Sequence, residues 1–220
     1  MIDLKNYRIV DLNVSLHPGI KYIDGEYTHS TQNRRLELRQ FIYKHDRCPM
    51  FWVDTETHVG THVEGPTHYS QQAKSVAELP IETYMGESLV VNLNHLEPKN
   101  NKPQPIKQND LIKVRKRDIV LMWSSFNTNS PYISPEAAIF LKEKEVKMIG
   151  LQDIGLEVPV LKPHDRWFSH ETLLGNNIPI IENLINLEKL KRERVFYIGL
   201  PIKIMGLDSS WIRAIALEEL

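Results

Sequence analysis

The stretch from Asp54 to His68 gathers three histidines (His58, His62 and His68) and three carboxylates (Asp54, Glu56 and Glu64), all at even-numbered positions. Between them the odd positions hold Thr55, Thr57, Val59, Thr61 and Val63. Side chains of an extended chain alternate between faces, so one face would be Val and Thr while the other collects every ionisable group. Burying such groups unpaired is costly, and a bound cation is the partner that would offset the cost. Imidazole combined with carboxylate suits zinc, manganese or ferrous iron better than calcium or magnesium. Taken singly, each histidine reads as a surface or hydrogen-bonded residue; it is their concentration that argues for an ion.

Spacing narrows the geometry. A helix would carry Glu64 about 240° round from His58, on the wrong side. The β-branched residues, Gly60, Gly65 and Pro66 disfavour a helix as well. A straight strand would hold the Cα atoms of His58 and His62 about 13 Å apart. That separation strains two imidazoles that must each bring a nitrogen to about 2.0–2.1 Å from one ion. His62 and Glu64, about 7 Å apart on one face, converge without difficulty. A bend at Gly60 resolves the conflict. The expectation is a kinked strand presenting His58, His62 and Glu64 to one ion, with His68 entering from beyond the Gly65–Pro66 turn. Three protein ligands leave a position for water, whose pKa the ion lowers. His68, outside the coordination sphere, is the candidate for moving protons near neutral pH. Asp54 and Glu56 either orient the imidazoles from behind or lie solvated at the strand's exposed end.

The elements that position this stretch read mainly as strands. Tyr7 to Leu16, Leu36 to Lys44 and Phe51 to Val59 alternate apolar and polar residues. Ser88 to Leu93, Asp118 to Trp123, Lys147 to Leu151, Val195 to Leu200 and Trp211 to Leu217 read as more buried strands. Ser134 followed by Pro135 and Glu136 announces a helix running to Val146. Further helices are expected over Ile81 to Met85, ending at Gly86, and over Leu184 to Arg192, with Lys191 to Arg194 as a solvated helix end. The proline-bearing stretch Glu97 to Asn109 reads as a surface loop. Trp52, Trp123, Trp167 and Trp211 are expected in the core or an interface, with Trp167 and Phe168 as one wall of a substrate pocket. His95 and His164 lack a partnered pattern and read as ordinary polar residues.

Composition bounds the class. The chain has 220 residues, 41% apolar and 25% charged, with no composition break, which fits one α/β domain over residues 1–220. The 27 basic and 28 acidic residues nearly cancel, leaving no basic footprint for nucleic acid. No apolar run approaches the roughly 20 residues of a membrane span. The single cysteine, Cys48, and the charged opening Met1 to Asn6 lead to the expectation of a cytoplasmic protein.

Read as a whole, His58-Val-Gly-Thr-His62-Val-Glu64-Gly-Pro-Thr-His68 resembles the signature His-x-Gly-Thr-His-x-Asp-x-Pro-x-His of the metal-dependent cyclase family, which includes bacterial kynurenine formamidases and isatin hydrolases. Asp11-Leu12, His170 with Ile181 to Leu184, and Gly199 to Ile204 through Arg213 to Ala216 are similar to further family segments, so the likeness covers most of the chain. The resemblance implies a mixed-sheet swivelling β/β/α fold, usually homodimeric or a higher homo-oligomer. It implies one or two divalent ions per chain, zinc or manganese, held by His58, His62 and the carboxylate at 64. In two-ion members that carboxylate bridges, and His170 with Glu182 would hold the second ion. The implied reaction is hydrolysis of an amide or related C–N bond of a small molecule by metal-activated water, with His68 as general acid and base. Three positions depart from the family. Glu64 replaces Asp, Pro18 to Gly25 replaces an aromatic-bearing segment, and Gly155 stands where a serine is usual in Gly150 to Glu157. Two rival readings accompany this one: a ferrous dioxygenase built on His62, Glu64 and a distant histidine, and a non-catalytic metal- or ligand-binding module.

Overall fold

The apolar runs assemble into one large sheet, and the computed structural model describes residues 3–17, 36–45, 47–159 and 167–220. Strands β1 (Tyr7–Asp11), β2 (Leu36–Phe41), β3 (Met50–Thr55), β4 (His62–Glu64) and β5 (Met85–Asn92) come first. They are followed by β6 (Pro105–Ile106), β7 (Ile119–Trp123), β8 (Tyr132–Ile133), helix α1 (Pro135–Glu143) and β9 (Met148–Gln152). Helix α2 (Phe168–Leu174), β10 (Ile180–Glu182), β11 (Arg194–Ile198), β12 (Ser209–Trp211) and β13 (Ile215–Glu219) complete the order. The main sheet runs β1-β13-β11-β5-β7-β9-β10-β4-β12. Its centre, β5 to β10, is parallel, and both flanks are antiparallel. The sheet curls, because Asn13 just beyond β1 bridges Leu184 just beyond β10. The N–H of Ile185 donates to the carbonyl of Leu12 at 3.1 Å, closing that seam.

A core lies on each face. Val120 and Met122 of β7, Ile149 and Leu151 of β9 and Ile180 of β10 pack under α1 and α2. Their neighbours Ile119, Leu121, Met148 and Ile181 point the other way, onto Val63, Tyr84 and Tyr197 inside the curl. Covering both faces explains why the central strands are continuously apolar rather than alternating.

Helix α1 begins as its sequence dictates: the Ser134 hydroxyl accepts from the Ala137 N–H at 3.2 Å, with Pro135 in the first turn. Other expectations need correction. Ile81–Tyr84 is a single 3-10 turn, and Gly86 lies inside β5 rather than capping a helix. Leu184 to Arg192 forms only the 3-10 turn Leu187–Lys189, entered through Asn186 at φ 67°. No helix ends at Arg194; it lies in β11, its guanidinium holding both carboxylate oxygens of buried Asp118 at 3.0 Å. Trp211 to Leu217 divides into β12 and β13. Helix α2, which carries His170, falls where no helix was expected. Trp52 is 62% exposed on the β2–β3 hairpin, not in the core, and Trp167 is exposed too. His164 and the segment Pro18 to Gly25 lie outside the described residues. No helix among the described residues is long and apolar enough to cross a membrane.

Candidate metal centre

Strand register brings the ligand types together. In the β4–β10 ladder His62 stands opposite Glu182 and Glu64 opposite Ile180, so His62, Glu64 and Glu182 share the face covered by the helices. Val63 points the other way, into the core inside the curl. Alternation over residues 62 to 64 is as the sequence suggested, but the strand starts only at His62. His58 lies in the loop before it, and Asp54 belongs to the hairpin, where Arg39 binds it at 3.0 Å.

The bend at Gly60 is present, with φ at 61°, a left-handed conformation that glycine adopts freely. A Cβ there would come to 2.5 Å from Leu16 Cδ2. The turn folds His58 back until its ring lies 5.1 Å from that of His62. It also aims the Gly60 carbonyl at His62, which donates from Nδ1 at 2.8 Å, while Asn183 Nδ2 donates to the same oxygen at 3.3 Å. Helix α2 supplies His170 from above the sheet. Its first-turn amides, Ser169 N–H and His170 N–H, donate to the Glu157 carboxylate at 3.1 and 2.9 Å, and His170 Nδ1 reaches the same carboxylate at 2.8 Å. One side chain thus caps the helix and sets the ring.

Four imidazoles converge on Glu64. His58 Nδ1 lies 2.9 Å from Glu64 Oε1, His62 Nε2 3.6 Å and His68 Nε2 3.8 Å from that oxygen. His170 Nε2 stands 3.5 Å from Oε2. Glu182 Oε2 is 3.8 Å from His62 Nε2. Two triads with ligand atoms mutually within 4.8 Å result, His58–Glu64–His68 and His62–Glu64–Glu182, and Glu64 belongs to both. The sequence paired His58 with His62 on one ion; the folded chain instead groups His58 with His68 and His62 with Glu182.

Electrostatics agree with a cation-shaped deficit. Burial alone would lower the pKa of His58, yet the facing carboxylates of Asp208 and Glu64 raise it to about 9. Glu157 and Glu64 overcome burial in the same way at His170, which also rises to about 9. Burial would raise Glu64, but the imidazoles of His170, His58 and His62 drive it far below the usual carboxylate range. Glu182 is pushed up by burial and by the charge of Glu64.

The donor set fits a divalent ion. His62 Nε2 and Glu64 Oε2 are buried with no hydrogen-bond partner among the described residues, and both face the cluster. Orphaned buried polar atoms are rare because each loses its water without replacement. Imidazole and carboxylate are the ligand types that zinc and manganese accept.

Two residues of the centre escaped the sequence reading as site residues. Glu157 entered only as part of a motif comparison, and Asp208 did not enter at all. Asp208 Oδ2 lies 2.8 Å from His58 Nε2 and 3.0 Å from His68 Nδ1. No local pattern marks Asp208; only the pairing of β12 with β4 brings it here. Of the expected pocket wall, Trp167 meets His170 edge-on at 4.8 Å. Phe168 turns instead to a surface groove with Tyr69 and Ile139. His95 is an exposed partner of Asp110, as an ordinary polar residue should be. A cavity of about 610 Å³ adjoins the cluster, lined by Glu157, Glu182, Asn183, Tyr132, Leu151 and Asp153.

Comparison with known proteins agrees with this architecture. A kynurenine formamidase of Salinibacter ruber is 29% identical over 164 residues, covering 72% of this chain and 75% of its own. An isatin hydrolase bound to the product analogue thioisatinate superposes with a TM-score of 0.78 at 19% identity, covering 98% of this chain and 94% of its own. Isatin hydrolase A from Labrenzia aggregata, bound to benzyl benzoate, gives 0.77 at 19% identity, covering 98% and 95%. The putative cyclase family profile matches residues 10–158, more than half of the sequence, and the chain therefore belongs to the cyclase family.

Proposed function

We propose that the protein is a metal-dependent amidohydrolase that cleaves an amide, lactam or related C–N bond of a small molecule. The observation that carries the reading is the convergence of four imidazoles on Glu64, with Glu182 grouped beside His62 and Glu64, and with His62 Nε2 and Glu64 Oε2 buried without a hydrogen-bond partner among the described residues. Relatives named for formamide and isatin hydrolysis support the reaction class. His58, His62, Glu64, His170 and Glu182 would hold one or two divalent ions, zinc or manganese, with Glu64 shared between them. When bound, such ions lower the pKa of water and polarise a carbonyl. His68, at the edge of the cluster, takes a proton from the attacking water and returns it to the departing nitrogen. The adjoining cavity admits the small molecule, and Trp167, edge-on to His170, is the residue of the expected pocket wall that contacts the cluster.

Four histidines around one carboxylate exceed what a two-His, one-carboxylate oxygenase centre uses, and an open cavity is more than a closed structural site requires. The reading extends to a cytoplasmic protein, for which the exposed unpaired Cys48 is suited, and to a homodimer or higher homo-oligomer. The β2–β3 hairpin, with Leu38, Phe51, Trp52 and Val53 exposed, is the surface assembly would cover.

Elemental analysis of the purified protein, followed by a screen of formamides and lactams for carboxylate release, tests the proposal. Zinc or manganese at one or two per chain with chelator-sensitive hydrolysis is the expected result. Iron with oxygen consumption would redirect the reading to oxygenase chemistry, and a protein that binds no metal after reconstitution would overturn it.

A further inference from the structure

The polar atoms on the outer side of the cluster are as ordered as those within it. Ser209 pairs with Glu64 in the β12–β4 ladder, so Asp208 lies one residue beyond, beside Gly65. The Gly65 N–H donates to the Asp208 carbonyl at 2.7 Å and fixes the backbone at that point. The Thr57 hydroxyl donates to Asp208 Oδ1 at 3.3 Å. The other carboxylate oxygen, Oδ2, is left to face two rings at once: His58 Nε2 at 2.8 Å and His68 Nδ1 at 3.0 Å. Those rings stand 4.4 Å apart, centre to centre.

An ionised carboxylate only accepts hydrogen bonds. Both nitrogens that face Oδ2 must therefore carry their protons. In the neutral rings this leaves His58 Nδ1 and His68 Nε2 as bare lone pairs, and these are the atoms turned toward Glu64. His62 and His170 are set in the same sense by other acceptors, the Gly60 carbonyl and Glu157. Asp208 differs in serving two histidines with one atom.

We propose that Asp208 is a positioning residue that fixes the tautomer and orientation of both His58 and His68, tying an ion-holding ring to the proton-moving ring through a single carboxylate oxygen. The proposal rests on the reading of this cluster as a metal centre. Its chemical content is that the two rings cannot be set independently. An amide at position 208 has one accepting oxygen and a donating NH2 group, so it satisfies one ring and presents a donor to the other.

The test compares wild-type protein with Asp208→Asn, both stripped and titrated with cobalt(II) for affinity, and records the nitrogen-15 resonances of the histidine rings in the same proteins loaded with diamagnetic zinc(II). In wild type, His68 is expected as the Nδ1–H tautomer and His58 with its proton on Nε2. In Asp208→Asn at least one ring should change tautomer or exchange between two, and cobalt affinity should fall about 10- to 100-fold at unchanged stoichiometry. Turnover of any amide found in the screen should lose kcat with little change in KM. Asp208→Ala, with and without formate, supplies a second variant should the amide disturb folding; formate should restore cobalt affinity to the variant and leave wild type unaffected. Wild-type affinity and unchanged ring tautomers in Asp208→Asn would overturn the proposal. Loss of one whole ion per chain would overturn it differently, by making Asp208 a ligand. A wild-type protein that takes up no cobalt would sink the metal reading itself, and this inference with it.

Discussion

The Nδ1 of His62 and the carbonyl oxygen of Gly60 lie 2.8 Å apart, two residues from each other along the chain. A straight strand cannot bring such a pair together, because the carbonyl of the residue two back points along the sheet rather than at the side chain. The left-handed turn at Gly60 makes the contact, and the contact leaves His62 Nε2 facing Glu64 and Glu182.

Gly60→Ala should therefore damage both fold and centre. The new Cβ meets Leu16 in a backbone conformation that L-residues adopt at a cost of about 1–3 kcal/mol. For a chain of this size each kcal/mol lowers Tm by about 2–4 °C. Thermal denaturation of the metal-free variant reads the first effect, and metal titration of the folded variant reads the second, a weaker affinity. A variant with wild-type affinity would show that the turn holds the carbonyl on His62 despite the added Cβ.

Glu64→Gln should cost more metal than Glu64→Asp. The amide removes the shared negative charge from both triads, whereas the shorter carboxylate keeps it and is the residue usual in the signature. Mass-spectrometric metal content should approach zero for Gln and stay measurable for Asp. Equal loading of the two variants would argue that charge at this position does not hold the ions.

His68→Ala should keep its metal and lose about 10²- to 10⁴-fold in kcat. Metal content and turnover measured on one preparation separate the roles. Loss of an ion along with activity would place His68 among the ligands, as its triad with His58 and Glu64 permits.

The metal-free protein should become less stable as the solution turns alkaline. Folding raises His58 and His170 from an ordinary 6.5 to about 9, so their interactions with the carboxylates are fully present below about pH 6.5 and are lost as pH rises through 9. Glu64 and Asp208 are lowered by the same contacts, and their contribution is present above the ordinary carboxylate range and lost only in strong acid. Tm of chelator-stripped protein should be highest between about pH 5 and 6.5 and fall toward pH 9. Saturating zinc should flatten the decline, since the ions replace the protons between the rings and Glu64. A Tm that climbs from pH 6.5 to 9 without metal would contradict the assignment.

Where residues act on near neighbours, the sequence carried the centre well. The alternation that puts His62 and Glu64 on one face and Val63 on the other is a local property of an extended chain, and Gly60 had to bend because a straight strand holds His58 away from His62 while a helix would carry Glu64 to the wrong side. Helix α1 was equally legible, since Ser134, Pro135 and Glu136 cap it from within its own segment. Helix α2 was not, because its capping carboxylate is Glu157, 12 residues before the Ser169 amide it accepts from, and Trp167 at its start offers no capping side chain. Leu184 to Arg192 misled for a related reason. Leu184 and Leu187 are spaced for a helix, but both are spent on the core inside the curl, with a left-handed Asn186 between them. Asp208 lies 150 residues from His58, and only the order of strands in the sheet joins them.

That strand order also sets a sequence of events. β4 waits for β12 as its outer neighbour, and β1 waits for β13, so residues near the beginning of the chain are completed by residues close to Leu220. A nascent chain passes His58, His62, Glu64 and His68 through the ribosome long before Asp208 exists to orient two of those rings. Contacts of such sequence separation form late. An ion could therefore be held in the proposed geometry only once β12 has been made, and a chain halted before β12 would offer it histidines that Asp208 does not orient.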